Sequence, residues 1–73
     1  MTIDGFWLQI IQSIQRGNTE KGRIVADLRP KHEAGIHTKR RVGKAVDAMR
    51  AVGLLTKQGG EYFLTDKALE QAQ

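Results

Sequence analysis

Seventy-three residues allow one domain, near the lower size at which a hydrophobic core folds without a staple, and the absence of cysteine excludes disulfides and thiolate metal sites. The net charge of +4 is unevenly laid out: Lys21 to Lys44 holds eight basic residues against two acids, while the rest of the chain holds four against six. Such a concentration is the footprint of a polyanion partner rather than of uniform solubilising charge.

No apolar run approaches the roughly 20 residues that cross a bilayer. Met1-Thr2-Ile3-Asp4 is acidic where a secretion signal starts cationic. The expected setting is therefore cytoplasmic (nucleoid-associated in a prokaryote), with no membrane partner.

In chain order, Asp4 or Thr2 caps a first helix running to about Arg16, with Gly17 just past its end. Ile3, Phe6, Trp7, Ile10, Ile11 and Ile14 form its apolar stripe, and Gln9, Gln12, Ser13 and Gln15 its wet face. Trp7 lies inside the stripe, so core packing outranks a base-stacking role. After Gly17-Asn18-Thr19, with Thr19 or Asn18 as N-cap and Glu20 in the first turn, a second short helix buries Ile24, Val25 and Leu28. Lys21, Arg23 and Asp27 face away from that side. Pro30 ends this helix, because the residue before a proline is driven out of the helical region.

Arg29 to His37 is the irregular part, with one extra turn expected over Pro30 to Ala34 and a break at Gly35. A third helix, capped by Thr38 or His37, then runs to Gly53. Val42, Ala45, Val46, Met49 and Gly53 make its core side; His37, Arg40 and Lys44 stand opposite, with Arg41 on the flank. The basic end is the N-terminal end, the end a recognition helix presents to a DNA groove. A plain solvated surface is the alternative reading of such a face.

Beyond Gly53 the period changes to two. Leu54 to Gln58 and Glu61 to Leu64 flank Gly59-Gly60, the pair a type I′ turn favours, so Gln58 faces Glu61, Lys57 faces Tyr62, Thr56 faces Phe63 and Leu55 faces Leu64. Leu55, Tyr62 and Leu64 share the core face with the Lys57 stem over Tyr62, while Phe63 points away as a second packing surface or an exposed contact. Thr65 caps a last helix over Asp66 to Gln71 with Ala68, Leu69 and Ala72 to bury.

Helix, short helix, basic helix and glycine-turned hairpin, with Ala51-Val52-Gly53-Leu54-Leu55 and then Gly59-Gly60-Glu61-Tyr62-Phe63-Leu64-Thr65, resembles the winged helix-turn-helix fold of small bacterial, archaeal and phage transcription regulators. The likeness spans nearly the whole chain. It implies an α+β, mostly helical fold: three helices, a C-terminal two-stranded hairpin as the wing, and a short last helix, all in one domain over 1–73. It also implies double-stranded DNA as partner, in the service of transcription regulation or of a phage or plasmid accessory factor.

On that resemblance Thr38, Arg40 and Lys44 read bases. Lys21, Arg23, Arg29, Lys31, His37, Lys39, Arg41 and Lys57 hold phosphates, whose neutralisation gives affinity without sequence information. Two departures stand out: the Arg29–His37 connection exceeds the three or four residues of the usual turn, and the wing carries Lys57 alone as a cation, with Glu61 beside its tip.

Other chemistries find little support. His32 and His37 are not at the i, i+4 spacing of a helical zinc pair, and two histidines without cysteine leave too few ligands for a structural zinc. Gly22, Gly35 and Gly43 form no nucleotide loop, and Ser13 has no companion base. No enzyme, cofactor or metal is expected. The rival function is a winged-helix protein-interaction module docking an acidic protein; structured RNA ranks behind it, since Tyr62 and Phe63 are the only aromatics with a chance of stacking. Phe63, Leu69 and the apolar N-terminal turn are candidates for a homodimer seam.

Overall fold

A computed structural model describes residues 5–28 and 35–71, with the side chains of residues 35–38 outside that description. Four helices and one antiparallel hairpin follow in the order α1 (Gly5–Gln15), α2 (Lys21–Leu28), α3 (Gly35–Ala51), β1 (Leu55–Gln58), β2 (Glu61–Leu64) and α4 (Asp66–Gln71). The architecture is α+β and mostly helical.

One apolar cluster joins all the elements. Ile10, Ile11 and Ile14 of α1, Ile24, Val25 and Leu28 of α2, and Val42, Ala45, Val46 and Met49 of α3 meet Leu54, Leu55, Tyr62 and Ala68. These are the positions the 3.6-residue period selects, so hydrophobic burial sets which face each helix turns inward. Phe6, Trp7 and Leu64 pack half-buried against the cluster's edge. Ser13 departs from expectation: it is fully buried, although its polar type had placed it on the wet face. At about 100° per residue it sits only 60° from Ile10, and position on the helix overrides the single hydroxyl.

Both long helix ends close in the same way. At the end of α1, Gly17 has φ +101°, its N–H donates to Ile14 O (2.9 Å), and Asn18 N–H donates to Ser13 O (3.1 Å). Past α3, Gly53 has φ +85°, with Gly53 N–H to Arg50 O (3.1 Å) and Leu54 N–H to Met49 O (2.8 Å). This paired bonding is the Schellman arrangement, and the left-handed residue in it favours glycine. It also aims Leu54 back into the core, where it is fully buried.

Three local expectations need correcting. The second helix starts at Lys21, so Glu20 precedes it and supplies the first carbonyl, to Ile24 N–H (3.0 Å). Thr19 spends its hydroxyl elsewhere, donating to Glu61 Oε1 (2.7 Å). The third helix starts at Gly35 rather than behind a Thr38 or His37 cap, since a glycine breaks helices in their interior more than at their first position. Residues 35–37, expected in the irregular stretch, are thus helical; the extra turn expected over Pro30–Ala34 lies outside the described residues, as do Ile3 and Ala72.

The hairpin follows the expected register: Leu55↔Leu64, Thr56↔Phe63, Lys57↔Tyr62 and Gln58↔Glu61. Gly59 and Gly60 take φ +56° and +81°, the positive pair of a type I′ turn. Tyr62 N–H also donates to Thr19 O (2.7 Å), which ties β2 to the turn between α1 and α2. Thr65 caps α4 through Ala68 N–H (3.3 Å), while its hydroxyl donates to Gly53 O (2.6 Å). Leu69, expected inside, is 40% exposed, because the six-residue α4 offers the core only one buried side chain, Ala68.

Candidate nucleic-acid interface

α3 is the element that meets α1, α2 and β1, so its orientation is fixed on three sides and one face remains outward. Arg40 and Lys44 occupy that face, each about 160° round the helix from the buried Val42 and one turn from each other. Both are exposed, as are Lys39 and Arg41. None of these four has a carboxylate partner among the described residues, where ion pairs join Arg16 to Asp27 and, at 3.9 Å, Arg23 to Glu20.

The neighbouring helices border this face on both flanks. On one side Lys21 of α2 lies along α3: a Cβ built on Gly43 would meet Lys21 Nζ at 3.0 Å and Cε at 3.1 Å. Gly43 therefore leaves the space in which the Lys21 ammonium rests. On the other side the Arg41 guanidinium stacks over the Phe6 ring of α1, 4.4 Å from its centroid. The ring's negative face holds the charge in place and leaves the guanidinium edges free to donate. The result is a cationic band across α3, from Lys21 through Arg40 and Lys44 to Arg41. Asp47, one turn beyond Lys44, ends it.

Beneath Arg41 runs a groove of about 310 Å³ between α1 and α3, lined by Phe6, Trp7, Ala45 and Ala48 and flanked by Arg41 and Lys44. Trp7 is half-buried there, partly in the core cluster and partly in the groove wall. Reading α3 one helix at a time does not reveal this groove, because its walls come from two helices.

Of the expected phosphate contacts, Lys21, Lys39 and Arg41 converge on the band. Arg23 stands apart beside Glu20, and Lys57 lies on the hairpin with its ammonium 5.5 Å from the Tyr62 ring centroid. Arg29 and Lys31 lie outside the described residues. His37 and Thr38 are helical, but their side chains also lie outside that description. Glu61, expected as a negative charge beside the wing tip, is turned toward Thr19 and held there. Among the described residues no three His, Cys, Asp or Glu side chains cluster as a metal site would require, and no helix is long and apolar enough to cross a membrane.

Comparison with protein families, with curated proteins and with solved structures returns no match to this chain.

Proposed function

We propose that this chain binds double-stranded DNA as a winged helix-turn-helix domain, with the basic face of α3 in the major groove, acting in transcription regulation or as a phage or plasmid accessory factor. The observation that carries the reading is the band itself: Lys39, Arg40, Arg41 and Lys44 all exposed along the middle of one helix, without carboxylate partners among the described residues. An unpaired cation loses nothing internal when it turns to a phosphate, whereas a paired one must first break its ion pair.

In this reading Arg40 and Lys44, central on the band, donate to base edges, for which guanine O6 and N7 are the natural acceptors. Lys21, Lys39 and Arg41 flank them and meet phosphates. Helix α3 keeps this face outward because its buried side packs into the core shared with α1, α2 and β1. The bond from Tyr62 N–H to Thr19 O ties the hairpin to the turn between α1 and α2.

The test is a titration of a labelled duplex of random sequence at several salt concentrations. Affinity is expected to fall steeply as salt rises and to be lost in the Arg40→Ala/Lys44→Ala double variant. With a selected target in hand, Arg40→Ala is expected to cost about 1–3 kcal/mol on that target and to relax preference at one base. Absence of binding at low salt refutes the reading. The alternative, a winged-helix protein-interaction module within a larger assembly, draws on a different observation: the Phe6–Trp7 groove is apolar-lined and flanked by cations, which suits an acidic protein better than a base edge.

A further inference from the structure

The groove between α1 and α3 has a chemical complement on the same chain. Its lining is aromatic and small, Phe6 and Trp7 against Ala45 and Ala48, and its cations are Arg41 and Lys44. On α4, Asp66, Leu69 and Glu70 are all exposed and share one arc of the helix, turned away from the buried Ala68. Lys67, the only cation of α4, is drawn off this arc: its ammonium donates to Val52 O (2.7 Å) at the end of α3. What remains outward is a pair of carboxylates one turn apart with an apolar side chain, 40% exposed, beside them.

We propose that α4 of a second copy of this chain docks in the Phe6–Trp7 groove, with Leu69 on the aromatic lining and Asp66 and Glu70 against Lys44 and Arg41. Sign, spacing and apolarity all match. The two groove cations are three residues apart on α3, and the two carboxylates are four apart on α4, so each pair spans about one helical turn. Arg41 is already held over Phe6 at 4.4 Å, and its planar group presents donors to a carboxylate with little further ordering. Ala45 and Ala48 let the incoming helix approach closely. The contact patch is small, which sets it among weak, reversible associations.

The association does not depend on the DNA reading. Competition between the two does, because α4 would occupy Arg41 and Lys44, two of the band's cations.

The experiment is sedimentation of the full chain without DNA, at low salt, over a concentration series reaching about 1 mM, the range in which small interfaces associate. Trp7, the chain's single tryptophan, reports from the groove through its emission. The wild-type chain is expected to associate with concentration, with a parallel shift in Trp7 emission. Arg41→Glu/Lys44→Glu, Asp66→Lys/Glu70→Lys and Leu69→Lys are each expected to weaken association by about tenfold or more.

An equimolar mixture of the two charge-reversed chains restores opposite signs across every contact and is expected to recover association. All five positions are exposed, and unchanged helical circular dichroism and melting check that each variant folds; Leu69→Lys serves where a double reversal does not. A wild-type chain that stays monomeric throughout overturns the proposal. So does association that survives the reversals, or a mixture no more associated than its components.

Discussion

Ser13 carries a hydroxyl that is completely buried and has no hydrogen-bond partner among the described residues. A buried polar group in that state forfeits its hydration without replacement, at a cost of about 1–3 kcal/mol. Ser13→Ala is therefore expected to stabilise the fold, by on the order of 1 kcal/mol, helped by the better helix propensity of alanine; the midpoint of urea unfolding checks it. Gly43 poses the related question on α3. A mid-helix glycine costs about 1 kcal/mol relative to alanine, and the atoms a methyl group would meet there belong to the flexible end of Lys21. Gly43→Ala is expected to raise thermal stability while displacing the Lys21 ammonium from the band, so stability and salt-dependent DNA affinity should move in opposite directions.

At the scale of elements, the junctions carry more than their length suggests. Thr65 both caps α4 and bonds Gly53 O, so Thr65→Ala removes two functions of one hydroxyl and is expected to cost about 1–2 kcal/mol in chemical denaturation. Elements were legible in the sequence where a local rule decides them. The hairpin register followed from two glycines and alternation, and the close of α1 and of α3 from Gly17 and Gly53.

Legibility failed where the deciding partner is distant in the chain. Thr19 looks like an N-cap locally, yet its hydroxyl goes to Glu61, 42 residues on. Glu61, seen locally only as an acid beside the wing tip, is that distant partner. Leu69 looked buried because burial was assigned by residue type, without the length of helix available to cover it. The cations at the centre of the candidate interface, Arg40 and Lys44, were legible because helical period alone opposes them to Val42. The rest of the site, Lys21 over Gly43 and Arg41 over Phe6, required the packing of three helices.

For the whole molecule the charge distribution is the dominant property. Lys21, Lys39, Arg40, Arg41 and Lys44 are exposed cations of α2 and α3, and on the proposed DNA reading each phosphate they neutralise would add roughly 0.9 to the slope of log affinity against log salt. Lys39→Ala is thus expected to weaken binding to all duplexes alike and to lower that slope by about 1, measurable in the same titration. A loss confined to one sequence would instead make Lys39 a reader.

The bond between Thr19 and Tyr62 has a temporal consequence as well. Thr19 O, in the turn between the first two helices, takes its backbone partner from a residue far down the chain, so an emerging polypeptide cannot make this bond until β2 has left the ribosome. The Tyr62 amide should accordingly exchange with solvent deuterium only through global opening, at the rate of the slowest core amides of α3. The hairpin would then be the clasp that shuts the fold last and holds it, and cutting the chain between Gly59 and Gly60 should loosen α1 as surely as it frees the wing.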